Sequence, residues 1–298
     1  MSAEVLLADL SHHGLIKVYG EDAESFLQNQ LTNDVRNVSE KDVAETSHQT
    51  TAWCSPKGRI IATFTLFKRD DAYFLSLSQD LLEYVMKKLS MYVMMSKVTI
   101  EDATQSLTHF GISGSAKGIE DALQDSSKNL TVLKIAGTVP RFEVFGEVSD
   151  TKALQDNISP APENYWDYLN ILAGLPTISQ ASSEAWIPQM VNFIAVDGVD
   201  FKKGCYPGQE VVARLNYLGK TKRRMYHVQI NTDTLPDIGA SIASDEDQDA
   251  GKILNAVINP VGTVEALVVM KIAEAENTLT FGENKVSVLE LPYLVDDA

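Results

Sequence analysis

Cysteine is scarce in this chain: Cys54 and Cys205 are the two thiols among 298 residues. At most one disulfide can form, and neither a disulfide framework nor a four-cysteine metal site is available, which favours a reduced, cytoplasmic setting and no metal centre. Long apolar runs are lacking too. The longest, such as 60–67 and 266–270, are strand-sized, and none approaches the roughly 18 residues needed to cross a bilayer, so no membrane association is expected. Residues 1–10 contain Glu4 and Asp9 and no basic leader, which argues against a secretory signal. There is no low-complexity tract and no internal repeat. Cations are also in deficit: 25 Lys and Arg face 41 Asp and Glu, a net charge of −16. Such a surface disfavours indiscriminate nucleic-acid binding but leaves room for a confined basic groove. What remains is ordinary globular composition, 44% hydrophobic and 22% charged. The length suits two or three packed subdomains.

Hydrophobic periodicity predicts a strand at 15–19 ended by Gly20, then a short helix through Ala23, Phe26, Leu27 and Leu31, closed by Thr32-Asn33-Asp34. Residues 43–53 and 60–68 read as paired strands joined through Ser55-Pro56-Lys57-Gly58, and 73–77 as a further strand. Ser78 is placed to cap a helix containing Leu81, Leu82, Val85, Met86 and Leu89. The methionines Met86, Met91, Met94 and Met95 are expected to pack in its core. Strands near 98–101, 130–135 and 142–148 alternate with helices near 119–123 and 151–156. A longer helix at 163–173 stops at Gly174 with Pro176 beyond. After 225 the pattern becomes short strands without a helix, at 225–230, 253–258, 264–272 and 285–290. That reads as a small all-β module. The acidic run Asp245-Glu246-Asp247 with Asp249 lacks the spacing and glycine of a calcium loop and reads as a solvated hairpin.

One segment concentrates the signals that the rest of the chain withholds: Lys202-Lys203-Gly204-Cys205-Tyr206-Pro207-Gly208-Gln209-Glu210. From Lys202 to Arg224 there are seven Lys or Arg and one carboxylate, Glu210, a local charge of +6 in a chain of −16. Cys205 follows two lysines and lies between two glycines. Cations and a nearby helix start would stabilise its thiolate, whereas a small buried hydrophobe is the plain alternative. Lys203 could contact the thiolate, a phosphate or another anion. His227 is 22 positions on, so a Cys–His hydrolase is not indicated. Cys54 reads as structural. Trp166 lies at helical spacing and would by default pack with Leu169 and Ala173. Arg214, Lys220, Lys222, Arg223 and Arg224 complete a basic group that is either a solvated face or a contact for RNA or another polyanion.

The run from Phe201 to Glu210 resembles the signature of the YgfZ family, folate-binding relatives of the glycine-cleavage aminomethyltransferases. The opening strand and helix with Gly20, Phe26-Leu27-Gln28 and Thr32-Asn33-Asp34 look like that family's, as do Cys54-Ser55-Pro56-Lys57-Gly58-Arg59, the stretch 166–176 and Leu291-Pro292-Tyr293. The resemblance implies an α+β fold: a cloverleaf of GcvT-like subdomains around a central channel, with a small C-terminal β-barrel. Residues 1–224 would form the folate-binding region, with a subdomain boundary near 105, and 225–298 the barrel. It implies tetrahydrofolate as cofactor, stacked on Trp166, with His13 where relatives carry a second folate-facing tryptophan. It also implies a role in maintaining iron–sulfur enzymes, including those that thiomethylate tRNA, with Cys205 and Lys203 as the chemically active candidates. In the transferases an acid follows the glycine turn; here Ile61 and Ala62 stand in that stretch, which counts against aminomethyl transfer. A folate-dependent transferase and a tRNA-binding module without thiol chemistry remain the alternative readings.

Overall fold

Nearly continuous apolar runs such as Ile60-Ile61-Ala62 can be satisfied only if both faces of their strand are covered, and the architecture supplies that cover. The computed structural model describes residues 4–38, 47–124 and 129–295. The strand expected from 43 begins at His48 within them; residues 43–46 lie outside the described residues. The first sheet is antiparallel, in the order β3 (His48–Cys54), β4 (Ile60–Arg69), β5 (Ala72–Ser78), β2 (His13–Tyr19) and β6 (Thr99–Asp102). Helix α1 (Ala23–Gln28) lays Ala23, Phe26 and Leu27 into the core beside it. Helix α2 (Leu82–Val93) buries Leu82, Val85 and Leu89, the spacing of one helical stripe.

That stripe corrects one expectation. Met91, Met94 and Met95 are 64%, 88% and 97% exposed, because they fall at and beyond the helix end, past the turns whose buried stripe is already filled. Met86 alone of the four packs partly against the core.

The second sheet runs β10 (Ser159–Pro160), β1 (Leu6–Asp9), β7 (Thr108–Ser113), β9 (Arg141–Gly146) and β8 (Thr131–Lys134), antiparallel except for the β1–β10 pair. Helices α3 (Ala116–Gln124) and α4 (Val148–Asn157) cover it with Ile119 and Leu154 against Phe110, Ile112 and Val144. The chain leaves the first sheet at Asp102 and resumes in the second at Thr108, yet β1 is donated to the second sheet from the other end of the sequence. Helix α5 (Tyr165–Leu172) then crosses behind, bounded by Asn164 and Gly174 in left-handed conformations. The helix start expected beside Cys205 opens α6 (Gln209–Leu218).

The all-β module is a closed six-stranded barrel: β11 (Arg223–Ile230), β14 (Val264–Lys271), β13 (Gly251–Ile258), β12 (Ser241–Ser244), β15 (Leu279–Phe281) and β16 (Asn284–Leu289), with β16 pairing back onto β11. Its interior is a separate apolar cluster that includes Val228, Ile230, Val264 and Val268. After the barrel the chain returns to the sheets, where the Tyr293 hydroxyl donates to the Gly174 carbonyl at 2.7 Å. Among the described residues no helix is long and apolar enough to cross a membrane.

Candidate functional site

A cavity of about 520 Å³ opens where the two sheets, the end of α5 and the returning C-terminal segment meet. Strands β4 and β5 of the first sheet form one wall, and the 134–138 loop after β8 forms the other, with Glu143 of β9 beside it. His13, at the start of β2, lines this cavity. Its ring meets His109 edge-on at 5.5 Å, and His109 lies 3.3 Å from the Glu143 carboxylate and stacks on Phe145 at 4.0 Å. Burial, reinforced by the neighbouring His109, drives the His13 pKa down to about 3. Burial raises the Glu143 carboxyl, but the His109 hydrogen bond and the adjoining imidazoles outweigh it, and the pKa falls below its ordinary value. The cavity therefore holds a buried carboxylate with acceptor capacity to spare, flanked by a neutral His13.

Trp166 does not line this cavity. It is 3% exposed and covers Gly111, where any Cβ would sit 2.4 Å from its ring. The Arg141 guanidinium lies over the indole at 5.1 Å and donates twice to the Ala136 carbonyl, at 3.1 and 2.8 Å, and to Asn170 Oδ1 at 3.0 Å. Ala136 and Asn170 are cavity residues. Burial brings the Arg141 pKa down to about 10. Trp166 thus stands one layer behind the wall, bracing the arginine that fixes the 134–138 loop. Arg141, Glu143 and His109 are the residues that sequence reasoning missed. The alternation of charged residues along β9, Arg141 then Glu143, was the available signal, since both face inward from a strand.

The signature loop forms a second locus. Lys203 is buried, and its ammonium donates to the Gln28 carbonyl at 2.6 Å and to the Leu31 carbonyl, the open C-terminal end of α1. Desolvation brings its pKa down to about 8. Two backbone acceptors engage Lys203, it lies over the Tyr206 ring at 5.1 Å, and it feels the Cys205 sulfur electrostatically. Gly208, at φ +81, seats against the second motif turn so closely that a Cβ would come 2.4 Å from the Ser55 carbonyl oxygen. Thr32 and Asn33 close the cluster, with Thr32 Oγ1 donating to Gly198 and Asn33 Nδ2 to Thr50 and Asp197. The motifs at 26–34, 54–59 and 201–210, separate in the sequence, are therefore one packed assembly. On its surface Cys205 is exposed. Cys205 is not among the residues that line the His13 cavity. Cys54 is buried with its thiol pushed up to about 12 by desolvation, an inert core residue as read from the sequence.

Comparison with known proteins accords with this arrangement. The family description "GCVT N-terminal domain" matches residues 1–135. The "tRNA-modifying protein YgfZ" of Enterobacter sp. (strain 638) is 30% identical, aligned over 98% of this chain and 94% of its own length. Its namesake in Photobacterium profundum is also 30% identical, over 99% and 93%. Among solved structures, a glycine cleavage system aminomethyltransferase T from Bartonella henselae superposes with a TM-score of 0.73 at 15% identity, covering 98% of this chain and 87% of that one.

Proposed function

This chain belongs to the YgfZ family, and from that membership we propose that it binds a reduced folate in the central cavity and supports the modification of tRNA. The observation that carries the folate reading is Glu143, a buried carboxylate facing a cavity whose volume falls within the roughly 300–1,000 Å³ of small-molecule sites. A pterin ring presents an N3–H and a 2-amino N–H side by side, a pair that one carboxylate accepts in bidentate fashion. Phe64, Leu77, Ile135 and Tyr293 offer apolar and aromatic walls for a flat ring system, and Lys134 offers a cation for the anionic glutamate tail. His13 adds a neutral imidazole edge. The bound folate would supply a one-carbon or electron-rich pterin centre.

Ile61 and Ala62, both buried, put no acid where the transferases use one, so aminomethyl transfer is not part of the proposal. In the same reading Cys205 presents an exposed thiol to client enzymes, with iron–sulfur enzymes that thiomethylate tRNA as the expected clients. Titration with tetrahydrofolate, followed by tryptophan fluorescence and calorimetry, tests the folate claim. Saturable binding is expected, weakened at least tenfold by Glu143→Gln, which keeps the shape but loses one acceptor and the charge. Absence of binding by any reduced folate, or indifference to Glu143→Gln, overturns it.

A further inference from the structure

A larger groove, about 1130 Å³, lies away from the folate cavity, where the end of α6, the 220–224 connection and the edge of the barrel converge. Five cationic side chains line it, Lys220, Lys222, Arg223, Arg224 and Lys271, and no carboxylate is among the lining residues within the described part of the chain. The neighbouring acids come from the β12–β13 loop: Asp247 pairs with Lys271, and both Asp247 and Asp249 feel Arg223. Lys220 and Lys222 are exposed and have no ion-pair partner among the described residues. The floor is apolar, with Ile194, Leu215 and Ile272.

The framework under the charges is built. Asn192, in the left-handed region at φ 53, donates from Nδ2 to the Met225 carbonyl at 2.8 Å and accepts from the Met225 N–H at 3.3 Å, tying the groove floor to the first barrel strand. Gln189 Nε2 holds the Val212 carbonyl of α6 at 2.7 Å. Tyr217, on the same helix, is 67% exposed and is met edge-on by Phe201 at 5.8 Å. Several cations around an apolar floor match a sugar–phosphate backbone, with its succession of separate charges, better than a compact anion, which would need donors converging on one point. The chain's net charge of −16 repels RNA elsewhere and so confines contact to this groove.

We infer that this groove docks the sugar–phosphate backbone of tRNA, so that the protein contacts the RNA itself and does not act only through client enzymes. The inference rests on the tRNA half of the proposed function and not on the folate half. It places the RNA at one end of α6 and the exposed Cys205 loop ahead of the other, about 15 Å apart along the helix axis.

The test uses the full chain with a fluorescently labelled tRNA transcript, anisotropy being recorded over a series of KCl concentrations, and compares it with the double variant Lys220→Glu, Lys222→Glu. Expected are a wild-type affinity that falls steeply with salt and, for the variant, at least about a tenfold loss at 0.1 M KCl. The log–log slope should flatten by roughly one for each contact removed. Tetrahydrofolate titration and the urea midpoint of the variant should match the wild type, which separates a lost RNA contact from a lost fold. Variant binding equal to wild type, salt-independent binding, or no binding of tRNA overturns the inference, as does saturable binding of inorganic pyrophosphate without binding of tRNA. A protein that binds tRNA through these lysines but no folate would leave the inference standing and remove the folate reading.

Discussion

Each of the two residues at the centre of the signature has a fate that its sequence neighbours do not reveal. Lys203 follows Lys202 in the chain, yet one is buried on two carbonyls and the other exposed, because Lys203 is the one placed to reach the open carbonyls that follow α1. Cys205, two residues later, is exposed. An exposed thiol with no packing role has a clear signature on substitution. Cys205→Ser is expected to change unfolding free energy by less than about 0.5 kcal/mol, since surface changes away from packed features do little. If the thiol serves client enzymes, the same variant fails to restore thiomethylated tRNA in cells lacking the protein. Urea unfolding and nucleoside analysis check the two halves, and full restoration would remove thiol chemistry from the function.

Short elements explain most of what periodicity could not reach. Strands β1, β12 and β15 have four, four and three residues, too few for an alternating pattern to show. The longer strands and α5 were legible because each carries its own apolar period and stop signal. The signature turn was legible as a site, but its packing partner was not, since Gly208 and Ser55 are far apart in sequence and meet only through the fold. That contact sets a prediction. Gly208→Ala places a methyl against the Ser55 carbonyl and the Gly58 backbone, neither of which can swing aside, at a left-handed φ that already favours glycine. A loss of at least about 2 kcal/mol in urea unfolding is expected, combining backbone strain with the clash. A variant as stable as wild type would mean that the two turns are not held together as described.

Across the molecule, the barrel interior and the second sheet each have an apolar cluster of their own, while Leu15, Phe67 and Phe74 of the first sheet share a further cluster with Leu133 and Phe145 of the second, so the two sheets meet both through that packing and at the cavity. There the junction is ionisable: His13 from the first sheet faces His109 and Glu143 from the second, with His12 adjoining and Lys134 across the cavity. None of this was readable from pattern, because β2, β7 and β9 supply one group each from well-separated stretches of the chain, and only the fold brings them into register. The consequence is a pH dependence of definite sign. His13 has its folded pKa lowered to about 3, against about 6.5 in the unfolded chain. Between those values the unfolded state binds more protons, so stability is fully present above about 6.5 and is lost as pH falls toward 3. The Glu143 carboxyl, also lowered, adds to the acid loss only below the ordinary carboxylate range. The window from about 6.5 to about 4.5 is where the His13 contribution acts, and the wild type and a His13 variant are compared there. Urea unfolding across that window should show stability falling by up to about 1.4 kcal/mol per pH unit from this one group, and His13→Asn should flatten the slope while Glu143 keeps its bond to His109. An unchanged slope in the variant would mean that His13 is solvated, and the sheets would then meet through packing alone.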